Sequence, residues 1–147
     1  YFSMAYGESM DINRIVRLSE APFQLDVIHK GTIRFSEVEG LEERFPPGYD
    51  KMVYVPHLVH CGDIVIRNGA FVRTPNMMDW LDKYNIFRAD HVEMVVKLLD
   101  EMGDDFYVWR VYNARPRVID FDESTLKNHV VRIKLLAIEH DGMIREL

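Results

Sequence analysis

Apolar residues recur at every second position through much of the chain. Phe23, Leu25 and Val27 alternate with Gln24 and Asp26, and Ile33, Phe35 and Val38 resume the pattern after Gly31. Successive strand side chains point to opposite faces, so this stretch predicts two strands joined by a tight break at His29–Thr32. Gly62–Arg67 is rich in β-branched residues and bracketed by Gly62 and Gly69, which predicts another strand ending in a glycine turn. Three further strands are expected at His91–Asp100, Asp105–Asn113 and Asn128–His140. Glu101-Met102-Gly103-Asp104 joins the first two as a hairpin turn, with glycine supplying the positive φ. Arg115–Lys127, which contains Pro116, reads as a polar connection.

One segment follows a different period. Thr74 is placed to cap a helix and Pro75 suits its first position, where a missing N–H is harmless. Met77, Trp80, Leu81 and Tyr84 then recur at helical spacing, so one face of a helix over about 75–85 carries the large apolar side chains. Residues 1–21 lack a clear period and are expected to form an N-terminal arm, with a short strand at Ile12–Leu18. A strand-rich unit would then occupy 22–147, interrupted by a long loop at about 41–55 where Pro46-Pro47-Gly48 prevents regular pairing. Lys51–Pro56 within that region reads as extended.

The later strands are apolar on both faces. Val92, Met94, Val96 and Leu98 form one face of their strand, yet Val95 and Leu99 stand on the other beside Glu93 and Lys97. Tyr107, Trp109 and Val111 alternate with Phe106, Val108, Arg110 and Tyr112. Alternation leaves two readings open: one face meets a neighbouring subunit, or both are buried within the chain's own fold.

At 147 residues the chain is expected to form one domain, long enough to bury roughly 68–70% of its unfolded surface. Apolar residues at 48% and charged residues at 29% exclude a disordered composition. Cys61 is the sole cysteine, which excludes an intrachain disulfide and predicts a reducing compartment. No apolar run approaches membrane-spanning length, and no secretory leader is visible, so no membrane anchor is expected. A net charge of −6 argues against specific nucleic-acid binding while suiting a conduit that must not grip a polyanion.

Candidate chemistry is thin. His57, His60 and Cys61 lie close in sequence, but on a strand His57 and Cys61 face one way and His60 the other. Asp104-Asp105 and Asp120, Asp122 and Glu123 fall in expected connections, where carboxylates are ordinarily solvated. There is no Gly-x-Ser-x-Gly elbow, Walker loop or dinucleotide fingerprint, and no catalytic residue, metal or cofactor is expected. Trp80 and Trp109, on apolar faces, read as core rather than pocket lining.

Phe35–Leu41, Gly62–Phe71, Trp80, Trp109 with Asn113-Ala114-Arg115-Pro116, Asn128 and His140-Asp141-Gly142, in that order along the chain, resemble segments of the tube proteins of contractile phage tails and related injection systems. Phe35-Ser36-Glu37-Val38-Glu39-Gly40-Leu41 is similar to the family's Phe-x-x-Val-x-Gly-Leu segment, and Gly62–Phe71 to its Gly-Asn-Ile-Thr-Leu-Lys-Arg-Gly-Val-Phe. Trp80 resembles the tryptophan of the family's helix, and Trp109 with Asn113-Ala114-Arg115-Pro116 a tryptophan followed by Asn-Ala-x-Pro. Asn128 and His140-Asp141-Gly142 match the bounds of the last strand. The resemblance implies a mainly β fold of two packed antiparallel sheets, barrel-like, with one flanking helix. It further implies homohexameric rings stacked into a tube within a contractile sheath, with baseplate or hub partners, cargo in the lumen and no catalysis. Such a particle would assemble in the cytoplasm as a virion tail or injection device.

Loop contacts between subunits and rings would fall here on Arg44, Phe45, Tyr49, Lys51 and Met52, while Phe35, Trp80, Leu81 and Trp109 would be core scaffold. The loop departs from the family's Tyr-Lys/Arg-Glu-Gly tract, and the arm is longer than in minimal members. Either departure would also fit an initiator or hub ring beside the baseplate. A small β-barrel enzyme or ligand-binding protein is the reading from another class.

Overall fold

The computed structural model describes residue 12 and residues 16–41, 63–82, 84 and 86–146. Its first strands, β1 (Phe23–Val27) and β2 (Gly31–Phe35), form the expected hairpin, with Val27 opposite Gly31 and Phe23 opposite Phe35. After Ser36 the chain continues as β3 (Glu37–Glu39) along β4 (Ile64–Val72). A short helix α1 (Pro75–Trp80) follows, then β5 (Val92–Leu99), β6 (Asp105–Phe121), β7 (Val130–Glu139) and β8 (Gly142–Arg145).

All pairings are antiparallel, in the order β2-β1-β5-β6-β7-β4-β3, and β2 also pairs with β4. That last contact closes six strands into a barrel, with β3 and β8 as additions. Its interior is filled: Leu25, Ile33, Phe35, Ile64, Ile66, Phe71, Met94, Val96, Val111 and Leu136 are buried in one cluster with Trp80 and Leu81. The fold is thus the mainly β, barrel-like architecture with one flanking helix that the resemblance implies.

Local details differ from the periodic reading. The strand expected to stop at a Gly69 turn runs on to Val72. Gly69 is instead a point of close approach: a Cβ there would stand 3.2 Å from Ile33 Cγ2. Arg115–Lys127 is not a loop, since β6 is 17 residues long and passes through Pro116 to Phe121. A register shift between Pro116 and Val118 accommodates the proline, as bulges commonly do when a ladder donor is missing.

The helix ends at Trp80, short of the expected residue 85. Leu81 caps it by donating to the Met77 and Asp79 carbonyls, and Asp82 Oδ1 accepts from Tyr84 N at 3.0 Å. This turn throws Tyr84 outward, 81% exposed, so it does not join the apolar face. Val16 donates to the Ile12 carbonyl at 3.0 Å, a helical spacing where the pattern predicted extension. Strand β7 starts at Val130 rather than Asn128, whose N–H donates to Thr125, and β8 was not expected. The rest of the arm and the loop region 42–62 lie outside the described residues.

Trp80 anchors α1 on the barrel. It is 1% exposed, and its Nε1 donates to the Asp90 carbonyl at 2.9 Å. Gly40 closes the other end of the β3–β4 pair: its φ is +89°, and a Cβ would fall 2.3 Å from the Asp63 carbonyl oxygen. Trp80→Ala is expected to destabilise the subunit by about 3–5 kcal/mol, with Trp80→Phe losing less because the ring volume is largely kept. Gly40→Ala should cost about 3 kcal/mol, combining backbone strain with overpacking. Urea unfolding monitored by tryptophan fluorescence measures both; unchanged midpoints would contradict these anchoring roles.

Candidate assembly surfaces

With its interior filled, the barrel offers its outer walls, strand edges and hairpin tip for function. Cross-strand register shows what each wall carries, because directly opposed residues share a face. On the wall built by β2, β1, β5, the first half of β6 and β8, one row reads Thr32, Asp26, Val95, Arg110 and Ile144. The adjacent row places Arg34 beside Gln24, Lys97 and Val108.

The polar groups of this wall are tied across strands. Asp26 accepts from Gln24 Nε2 at 3.0 Å and Thr32 Oγ1 at 2.9 Å, and pairs with Lys97 at 3.5 Å. Lys97 also reaches Asp105 at 3.6 Å. Arg110 donates to Glu93 at 2.7 Å and Glu146 at 3.1 Å. The hydrogen bond to Glu146 raises the Arg110 pKa above the usual arginine value, partial burial opposes it, and Glu93 adds to the rise. Val95 and Ile144 are buried on this outer side, separate from the barrel core, and flank Arg110 in the register.

The opposite wall has another character. Glu39, Val65, Ala137 and Val118 form one row, and Glu37, Arg67, Leu135 and Asp120 the next. Val118 is 43% exposed, and Val65 and Leu135 are half-buried. Ion pairs surround these apolar positions: Arg67 with Glu39, Arg115 with Glu139 at 2.5 Å, and Arg117 with Asp63.

Two further features project. The β5–β6 turn is held by Asp100, whose Oδ1 accepts from Met102 N and Asp104 N, each at 2.9 Å. It presents Met102, 83% exposed, and Phe106, 54% exposed, among Asp100, Glu101, Asp104 and Asp105. A register shift between Leu98 and Leu99 lets Phe106 lie 4.6 Å from the Tyr107 ring, over which Arg145 sits at 4.2 Å. Beside the turn, a groove of about 500 Å³ is lined by Leu18, Ser19, Pro22, Leu99, Asp100 and Glu101. Among the described residues, β3 pairs only with β4 and β8 only with β6, so each leaves one strand edge unpaired.

Phe35, Trp80, Leu81 and Trp109 all lie in the buried core cluster, away from these surfaces. Arg44, Phe45, Tyr49, Lys51 and Met52 lie outside the described residues, as do His57, His60 and Cys61. Among the described residues no group of three or more His, Cys, Asp or Glu is placed to hold a metal ion. Neither Arg34 nor Arg110 stood out in the sequence, where they read as ordinary polar positions of alternating strands; only register reveals their partners.

Among the described residues the architecture is a closed antiparallel barrel with a filled interior and α1 packed on its flank. A profile of the family described as T4-like virus tail tube protein gp19 matches residues 20–144, the whole barrel through most of β8. The chain belongs to this tail tube family. Among solved structures, the tail tube chain is similar to a chain of an extracellular contractile injection system, the PVC sheath-tube complex in its extended state. Identity is 15%, covering 86% of this chain and 88% of that one, with a TM-score of 0.50. It is also similar to a chain of the anti-feeding prophage cap, the AFP tube terminating cap, at 14% identity over 86% and 88% with a TM-score of 0.48. The former likeness is one of fold. No curated protein sequence matches the chain.

The pairs through Arg110 join β5, β6 and β8, so Arg110→Met is expected to loosen the C-terminal strand first. Global stability should fall by about 1 kcal/mol, as for a partly exposed network, and less at high salt. Amide exchange at Met143–Arg145 should accelerate more than at Ile64–Val72; equal protection of both in the variant would show that Arg110 does not hold β8.

Proposed function

We propose that this chain is the repeating subunit of the inner tube of a contractile phage tail or contractile injection system. Homohexameric rings of it stack into a hollow conduit, which a surrounding contractile sheath drives through a target envelope. Baseplate or hub proteins begin the tube, cargo occupies its lumen, and the role is mechanical rather than enzymatic. The observation that carries this reading is the match to a tail tube family along residues 20–144.

Physical features support it. Ring formation would pair strand edges such as those of β3 and β8, which are otherwise sites for uncontrolled association. A filled, closed barrel resists deformation, as a tube pushed through an envelope must. Assembly would take place in the cytoplasm, consistent with a chain whose only cysteine is Cys61. Arg44, Phe45, Tyr49, Lys51 and Met52 are proposed to contact neighbouring subunits and rings.

Negative-stain images of purified protein are expected to show rings or tubes. A persistent monomer that binds a small ligand to saturation would overturn the reading. Shortening Arg44–Lys51 is expected to leave a folded subunit, by circular dichroism, that assembles poorly; intact tubes from that variant would remove the loop from the interface.

A further inference from the structure

Residues 16–22 run outside the β2–β4 closure before the chain enters β1, and Arg34 of β2 lies beneath them. We infer that this segment is a strap that opens on its own while the barrel stays folded, and that opening uncovers Arg34, a cation hidden in the closed subunit. Such a strap would operate in the isolated chain, whether or not it forms tubes.

The strap holds little apolar area against the barrel. Ala21 is 4% exposed, but Val16 and Leu18 are only half-buried, and Arg17, Ser19 and Glu20 are exposed. Cavities lie along it: one of about 300 Å³ reaches Val16, Glu20, Ala21 and Arg34, and another of about 290 Å³ reaches Leu18, Gln24 and Arg34. The groove of about 500 Å³ beside the β5–β6 turn follows it past Ser19 to Pro22. Its backbone bonds stay inside the arm, since Val16 N–H donates to the Ile12 carbonyl and the N–H groups of Glu20 and Ala21 donate to the Arg17 carbonyl. A segment with few buried contacts and internally closed hydrogen bonds is the kind that opens well below the global unfolding free energy.

Its fastening to the barrel is concentrated at one end. Arg34 donates from Nε to the Ala21 carbonyl at 3.0 Å and from Nη2 to the same oxygen, and Leu99 N–H donates to the Pro22 carbonyl at 3.0 Å. Leu99 pins the chain where it enters β1, so Pro22 is the pivot and the contact between Arg34 and Ala21 is the latch. Closing the latch desolvates a cation. Arg34 is 2% exposed, burial lowers its pKa, and the carbonyl that accepts from it is neutral. Opening breaks charge-assisted hydrogen bonds but returns the guanidinium to water, so the loss is partly offset. The open state presents Arg34 on the outer face beside Gln24, where the closed state presents the strap. The strap therefore sets whether this part of the outer surface carries an accessible positive charge.

Hydrogen exchange and phenylglyoxal labelling of the purified chain, both read by mass spectrometry, test the strap. In the unsubstituted chain, the amides of Glu20 and Ala21 are expected to exchange at least about 100-fold faster than those of Val131–Ile138 in β7. Arg34 is expected to react with phenylglyoxal at least about tenfold more slowly than exposed Arg73. Leu18→Ser removes apolar contact under the strap and should speed both strap exchange and Arg34 labelling by about tenfold, with exchange in β7 unchanged. Arg34→Met removes the latch and should speed strap exchange by about tenfold; if that variant does not fold, Leu18→Ser, which keeps Arg34, decides the outcome. Strap exchange at the rate of β7, or Arg34 as reactive as Arg73, would overturn the inference. So would a Leu18→Ser chain in which Arg34 labelling is no faster, or a folded Arg34→Met chain in which the strap exchanges no faster.

Discussion

Closure of the sheet between β2 and β4 is the contact on which the rest of the fold depends. It is narrow: Arg34 pairs with Ala70, and the chain then continues through Ser36, whose N–H reaches the Arg67 carbonyl at 3.4 Å, into β3. Without it, the strands would form an open path with long bare edges; with it, Ile33, Phe35, Phe71 and Ile133 enter one enclosed core. The absence of a side chain at Gly69 lets Ile33 come close at this seam. Arg34 stands on the outside of the same seam, its Nε donating to the Ala21 carbonyl at 3.0 Å. Burial lowers its pKa from the usual arginine value, and the carbonyl replaces part of the water it has lost. The short segment before β1 is thereby fastened over the closure.

A second constraint is the length of β6. Its first half pairs with β5 on one edge and β8 on the other, while its second half pairs with β7. One strand therefore belongs to both outer walls. The partner changes from β8 to β7 between Tyr112 and Arg115, and the shift beside Pro116 follows after the first two pairs of the β7 ladder, so the proline sits near the end of that ladder rather than in its middle. A missing N–H in the middle of either half would leave a neighbour's acceptor unpaired.

Much of this was legible from alternation. Leu25, Val27, Ile33 and Phe35 point inward as the period requires, and Gly103 takes φ +83° in the β5–β6 turn. Glycine and proline misled where tertiary pairing overrode local punctuation: Gly69 marks close packing within a strand, and Pro116 a bulge within another. Tyr84 has the spacing of the helix face, but the Asp82 turn ends the helical period before reaching it. The apolar second faces of β5 and β6 could not be resolved by period alone. Val95 is buried yet absent from the core cluster, and its cover is intelligible only when Arg110 and Ile144 are placed opposite in register. The candidate surfaces were less legible than the fold for the same reason, since ion pairs across strands depend on register and not on neighbouring sequence positions.

In a barrel whose interior is consumed by its own core, the outer surface must serve every partner at once, and it can do so only by being unequal. Pairing opposite charges across β1, β5 and β6 and at the end of β8 matches them to one another and joins those strands. Placing exposed Val118 among half-buried Val65 and Leu135 does the reverse, leaving apolar area whose release from water can favour assembly. The two walls meet along β6, whose first half pairs with β5 and β8 and whose second half pairs with β7. A single closure and one long strand shared between the walls give the barrel two outer walls with different patterns of cross-strand pairing.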